Sequence, residues 1–305
     1  MVADRLAGVV AAGIGRRPVA APLIARLAGD EFTVLIVEIG EEEARRLSRQ
    51  MIAALAEPFG LAGKAVAIGA SIGIAMSPEH GCDLSTLMRA ADIAMYHAKD
   101  RGRGQVQVYS DTLAAQIEDK QTLERSLRAA AAAGEFELVF QPQVGAGDGR
   151  LLAIEALIRW NHPDRGLQLP GNFMGVAEDS GLSVAIGDWV MESLAGTVAR
   201  WVEAGMEQRF ALNVSHRQLD QGDFCERLVG ALERAGGMPS LVEIEVAETV
   251  VMQADQATLD GLARLRALGV RVSLDNFGTG HTKFARLREM PVDRFSIEAA
   301  AFARG

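Results

Sequence analysis

The feature that most constrains this chain is the alternation of short apolar runs with long helical stretches beyond Gly134. FELVFQPQ, LLAIEALIRW, FALNVS, LVEIEVAE and VRVSLDNFG have the length and β-branched content of buried strands. Between them lie AIGDWVMESLAGTVARWVEAG and QATLDGLARLRALG, whose apolar residues recur at helical spacing. Strand–helix alternation at this spacing predicts parallel strands and an α/β barrel over residues 135–305.

The first 110 residues read differently. A helix over residues 1–15 is broken by GRRP, and LIARL and FTVLIVEI flank the polar turn Ala28-Gly29-Asp30-Glu31, a hairpin signal. A helix over residues 41–57, the strand-like AVAIGASIGIAM and a helix ending at Gly102 complete an α+β unit. Residues 111–134, charged and alanine-rich up to Gly134, have the composition of a connecting helix rather than of Gly/Ser coil.

Polar oxygen-bearing residues sit at the downstream ends of the strand candidates: Glu155 after LLAI, Asn213 after FAL, Glu245 and Glu248 in EIEVAE, and Asp275-Asn276 after VRVSL. In an α/β barrel those ends open onto one face, where loops form the site. A single acid at a strand end is more often a helix cap or a solvated loop residue. Four donors on four strand candidates are harder to dismiss and would suit a hard cation such as Mg²⁺ or Mn²⁺, so the pattern leaves both readings open. The glycines of Asp275-Asn276-Phe277-Gly278-Thr279-Gly280 let backbone amides approach a phosphate, although a plain strand-to-helix turn reads the same way. Arg159 offers either a fork for a phosphate or a surface ion pair.

Other chemistries are disfavoured. None of His80, His97, His162, His216 and His281 has HExxH-type spacing, and neither a GxSxG elbow nor a Walker phosphate loop occurs. A net charge of −9 argues against a nucleic-acid-binding surface. Two isolated cysteines, Cys82 and Cys225, fit a reducing cytoplasm, and the N-terminal apolar run is too short to span a bilayer.

Glu155-Ala156-Leu157 with Arg159-Trp160, preceded by Phe140-Gln141-Pro142, resembles the signature of the EAL family. GLQLPGNFMGVAE, LNVS, EVAET, DNFGTG and LREMPVDRF follow in that family's order. Upstream, ARLAGDEF, ASIGIAMSPEHG and AADIAMYHAKDRGRG resemble the second half of a GGDEF domain. The resemblance implies a cytoplasmic GGDEF–EAL protein of bacterial cyclic di-GMP signalling, with a partial GGDEF domain before a TIM-like barrel. It implies phosphodiesterase chemistry with two divalent ions, an in-line displacement in which the ions activate water and stabilise the leaving oxygen. By the same resemblance Glu155, Asn213, Glu245 and Asp275 hold the first metal, Gln141 and Arg159 contact the ligand, and Glu248 braces the loop carrying Asp275.

Departures from the family pattern carry as much weight. Asn276 stands where the family has a second aspartate, and Ser296 where it has the lysine of K-I-D. The chain also stops at Gly305, before the family's last strands and its usual general base. A general base supplies roughly 10²–10⁴ in rate, so binding of cyclic di-GMP with hydrolysis near background is expected. An open barrel edge implies self-association into a homo-oligomer or a marginal fold. Ala28 replaces the first signature glycine, and neither an upstream metal-binding strand nor an R-x-x-D motif is present, so cyclase activity is not expected. A weak phosphodiesterase with Asn276 as a neutral ligand, and a non-binding scaffold or truncated remnant, stand as alternatives.

Overall fold

The computed structural model describes residues 1–14, 20–61, 63–275, 277 and 290–297. By its contacts the chain divides into two compact units, Met1–Gln121 and Thr122–Gly305. Among the described residues, no helix is long and apolar enough to cross a membrane.

The first unit runs α1 (Val2–Gly13), β1 (Leu23–Ala28), β2 (Glu31–Leu35), α2 (Glu41–Ala56), β3 (Phe59–Leu61), β4 (Lys64–Val66), β5 (Ile72–Ile74), α3 (Leu84–Asp100) and β6 (Val106–Val108). Strands β1 and β2 form the antiparallel hairpin read from the sequence, turning at Gly29, whose φ of +52° suits a residue without a Cβ. AVAIGASIGIAM is not one strand. Its first part, β4, pairs with β3, while β5 pairs in parallel with β6 about thirty residues on, so two distant partners divide one apolar run. Leu6, Val10, Leu47, Met51, Leu55 and Phe59 form the core where α1 meets α2. The small-residue stripe Ala90, Ala94 and Ala98 lets α3 lie close to β5. A Cβ on Gly73 would stand 1.9 Å from the Ala91 carbonyl oxygen, which shows how close.

Helix α4 (Asp111–Ala130) contains the division between the units at Gln121/Thr122. Its last turns belong to the second unit, where Leu123, Leu127 and Ala130 pack on Phe136, Trp160, Phe173 and Ile186. The Trp160 Nε1–H donates to Glu135 at 2.9 Å, so this large aromatic buries itself without an orphaned donor.

The second unit continues β7 (Phe136–Val144), β8 (Leu151–His162), β9 (Gly166–Gln168), α5 (Pro170–Ser180), α6 (Ser183–Glu203), β10 (Phe210–Val214), α7 (His216–Leu219), α8 (Phe224–Ala235), a 3₁₀ turn, β11 (Val242–Ala247), α9 (Glu248–Gln253), α10 (Gln256–Ala267), β12 (Arg271–Asp275) and β13 (Arg294–Phe295). The sheet order is β13-β12-β11-β10-β8-β7, with β9 on the side of β8. Strands β8, β10, β11, β12 and β13 are parallel, as the alternation predicts. Strand β7 is antiparallel to β8, against that expectation. The link between them, residues 145–150, is too short for a parallel crossover, which needs a dozen residues or more.

Alternation along each strand sorts the two faces. Ile154, Phe210, Leu212, Val242, Ile244, Val246, Val272 and Leu274 point into one core against α6, α8 and α10. The other face is polar and curls inward. Five inter-strand steps of about 4.8 Å would separate β13 from β7 by about 24 Å in a flat sheet. Yet the Arg294 guanidinium on β13 donates to the Gln143 side chain on β7 at 3.2 Å. The sheet must therefore bend toward a barrel, with its polar face inside.

Candidate cation and ligand site

Register places the expected donors on that inner face. Gln141, Glu155, Ala211, Glu243 and Arg271 lie in one cross-strand row. Asn213, Glu245, Ser273 and Arg294 form the next row. Asp275, at the last position of β12, stands beside Ala247. All are spaced by two along their strands, so all project from the same side.

One expectation needs correction. Glu155 is not at a strand end, because β8 continues to His162 through antiparallel pairing with β7 and β9. Only Ile154 to Ala156 pair with β10, so Glu155 still sits in the part of β8 that belongs to the parallel sheet. From there its Oε1 accepts a hydrogen bond from the Asn213 Nδ2–H at 2.9 Å, which brings two of the four expected metal ligands together.

Glu245 is the electrostatic centre. Burial pushes its carboxyl up to about 7, and the neighbouring Glu155 charge adds to the rise, as do Asp275 and Glu243. A hydrogen bond from Gln143 Nε2 to Glu245 Oε1 at 3.3 Å works in the opposite direction. Glu155 and Asp275 therefore both oppose a negative charge on the partly desolvated Glu245. A divalent cation would relieve that repulsion, and carboxylate and amide oxygens suit a hard ion. Among the described residues, no three His, Cys, Asp or Glu side chains yet stand together closely enough to hold a metal. Among the contacts present, Asn213 bonds Glu155 and Gln143 bonds Glu245.

The other expected residues lie around this face. Gln141 is exposed on β7, directly opposite Glu155. Arg159 shares the Glu155 side of β8 but lies four residues along, about 13 Å at 3.3 Å per residue. Its Nη1 donates to the Ile158 carbonyl at 2.9 Å. Glu248 is buried as the first residue of α9, immediately after the strand end beside Asp275. The Ser296 amide donates to the Leu274 carbonyl at 2.7 Å, and its own carbonyl accepts from Phe277, so it extends β13 next to Asp275. Asn276, the glycines of its loop, His281 and Glu298 lie outside the described residues.

Three interior residues were missed by sequence reading. Gln143, Glu243 and Arg294 sit within the polar face, and Glu243 is fully buried. A signal did exist. Gln141/Gln143 and Glu243/Glu245 repeat polar residues at the strand period, which marks a second wet or polar face.

Comparison with known proteins decides the family. The model of the EAL domain matches residues 124–304. The chain belongs to the EAL domain family. The model of the diguanylate cyclase GGDEF domain matches residues 2–105, so the order is GGDEF followed by EAL. Over 276 residues the chain is 36% identical to the bifunctional diguanylate cyclase/cyclic di-GMP phosphodiesterase MucR of Pseudomonas aeruginosa, covering 90% of this chain and 40% of that relative. It is 33% identical over 276 residues to the cyclic di-GMP phosphodiesterase PdeR of Escherichia coli, covering 90% of this chain and 42% of PdeR. The chain thus spans about two-fifths of the length of these relatives. Among solved structures, the MucR phosphodiesterase in complex with cyclic di-GMP superposes with a TM-score of 0.57 at 34% identity, over 60% of this chain and 74% of that one. The EAL enzyme Bd1971, bound to cAMP and cyclic di-GMP, gives 0.56 at 27% identity, over 62% and 52%.

Proposed function

We propose that the EAL unit binds cyclic di-GMP together with one divalent cation, Mg²⁺ or Mn²⁺, and hydrolyses it little or not at all. The observation that carries this reading is the shared inner face on which Asn213 bonds Glu155 while burial, together with Glu155 and Asp275, raises the Glu245 carboxyl. In this reading Glu155, Asn213, Glu245 and Asp275 hold the cation. When bound, it supplies positive charge against a ligand phosphate.

The remaining roles fall to the chain itself. Gln141, opposite Glu155, offers an amide to the ligand. Arg159 leaves the Ile158 carbonyl to present its fork to a phosphate. Buried Glu248 steadies the segment that follows Asp275. Asn276 and Ser296 replace an acid and a lysine of the family pattern, and turnover falls for want of a second charged ligand and an ammonium near the nucleophile. The likeness to relatives named phosphodiesterases favours a second reading, a weak metal-dependent phosphodiesterase.

Product formation from cyclic di-GMP with Mg²⁺ or Mn²⁺ separates the two. Wild-type protein should stay near background, and Asn276→Asp combined with Ser296→Lys should raise the rate. Clear turnover by the wild type, abolished in Glu155→Ala, would replace the first reading with the second.

A further inference from the structure

Beneath the proposed ligands runs a chain of contacts that the reading above leaves without a role. Arg294 Nη1 on β13 donates to Gln143 Oε1 on β7 at 3.2 Å. Gln143 Nε2 in turn donates to Glu245 Oε1 at 3.3 Å. Fully buried Glu243 places Oε1 3.5 Å from the same Arg294 nitrogen and Oε2 3.9 Å from Arg271.

We propose that Arg294 is a positioning residue for Glu245, acting through the side-chain amide of Gln143. A guanidinium only donates and an ionised carboxylate only accepts, whereas a glutamine amide has one end of each kind. With Arg294 on one side and Glu245 on the other, only one orientation of Gln143 satisfies both neighbours. The reversed amide would turn its NH₂ toward the guanidinium and its oxygen toward the carboxylate. Arg294 therefore fixes which end of Gln143 meets Glu245, and so holds one carboxylate oxygen in place. Glu243 Oε1 lies 3.5 Å from the same Arg294 Nη1, so the guanidinium is held by Glu243 as well as by Gln143. The link spans strands at the two ends of the described sheet order, so it also ties the position of Glu245 to the curvature of the sheet.

This inference rests on Glu245 being a cation ligand, as proposed above. The test is calorimetric titration of the full chain with Mn²⁺ alone, for wild type, Arg294→Met, Gln143→Met, the double variant and Arg294→Lys. Each Met variant loses a hydrogen bond in the link that holds the charged carboxylate, so each should weaken Mn²⁺ binding about tenfold. The double variant should be no weaker than either single one, because both remove the same link. Arg294→Lys, which still donates to Gln143 Oε1, should recover much of the loss. Loss of packing alone would lower thermal stability without this non-additivity or this rescue. Unchanged Mn²⁺ affinity in Gln143→Met, or additive losses in the double variant, would overturn the inference. If Arg294→Met fails to fold, Gln143→Met and Arg294→Lys still decide it. Absence of Mn²⁺ binding by the wild type would overturn the parent reading and this inference with it, a result distinct from wild-type binding that the variants leave untouched.

Discussion

The two units solve the problem of burial in different ways. In Met1–Gln121 the one buried polar side chain among the described residues is Ser48, and its strands pair off two at a time. In Thr122–Gly305, which has a single seven-stranded sheet, His162, Ser183, Thr197, Gln218, Glu243, Glu245, Glu248 and Ser273 are buried. Buried polar groups cost free energy unless they are paired, so the second unit carries a burden that the first largely avoids. The first unit's signature acids, Asp30 and Glu31, are by contrast exposed at a hairpin turn. Among the described residues, the buried carboxylates Glu243, Glu245 and Glu248 thus all belong to the second unit.

The sharpest way to break this contrast is to weaken each core in turn. Ile244→Ala in the second unit and Leu47→Ala in the first each empty a fully buried position and should cost about 2–5 kcal/mol by denaturant unfolding. Ile244 neighbours Glu243 and Glu245 on β11, so its loss should also impair ligand binding, whereas Leu47→Ala should leave binding at the wild-type value. Equal damage to binding by both would make the site a property of the whole chain. A smaller effect is expected at Gly73, where an added Cβ meets backbone that has no room to give. Gly73→Ala should destabilise the first unit by about 1–3 kcal/mol, again without touching binding.

How much of this was legible beforehand depends on the range of the interactions. The hairpin at Gly29, the helices and the parallel strands announce themselves in local pattern, because turn chemistry and periodicity are properties of a few neighbouring residues. The division of AVAIGASIGIAM between β4 and β5 depends on β3 and β6, and the full length of β8 depends on β7 and β9. No local rule contains those partners. Glu155, Asn213, Glu245 and Asp275 could be picked out as oxygen donors in strands. That Asn213 bonds Glu155, and that Arg294 reaches Gln143 from 151 positions away, needed the curved sheet.

The smallest expected effect concerns acidity in metal-free protein. The Glu245 carboxyl is raised in the fold from 4.5 to about 7, so the protonated form is the one the fold favours. Its contribution is fully present below pH 4.5 and is lost as pH rises through about 7. Glu245 is buried, but its carboxylate keeps some solvent screening, so the loss should be on the order of 1–2 kcal/mol. Glu245→Gln should flatten this part of the stability profile measured in chelator, and no matching slope should arise from the first unit.

The most direct measurement of the central claim is calorimetric titration of the purified chain with cyclic di-GMP in Ca²⁺ buffer, with Glu155→Ala as the control. The account predicts saturable binding by the wild type that is lost in Glu155→Ala while both proteins unfold cooperatively. No heat of binding from a folded wild-type protein, or equal binding by Glu155→Ala, would contradict it and leave the polar face of the second unit without the ligand assigned to it.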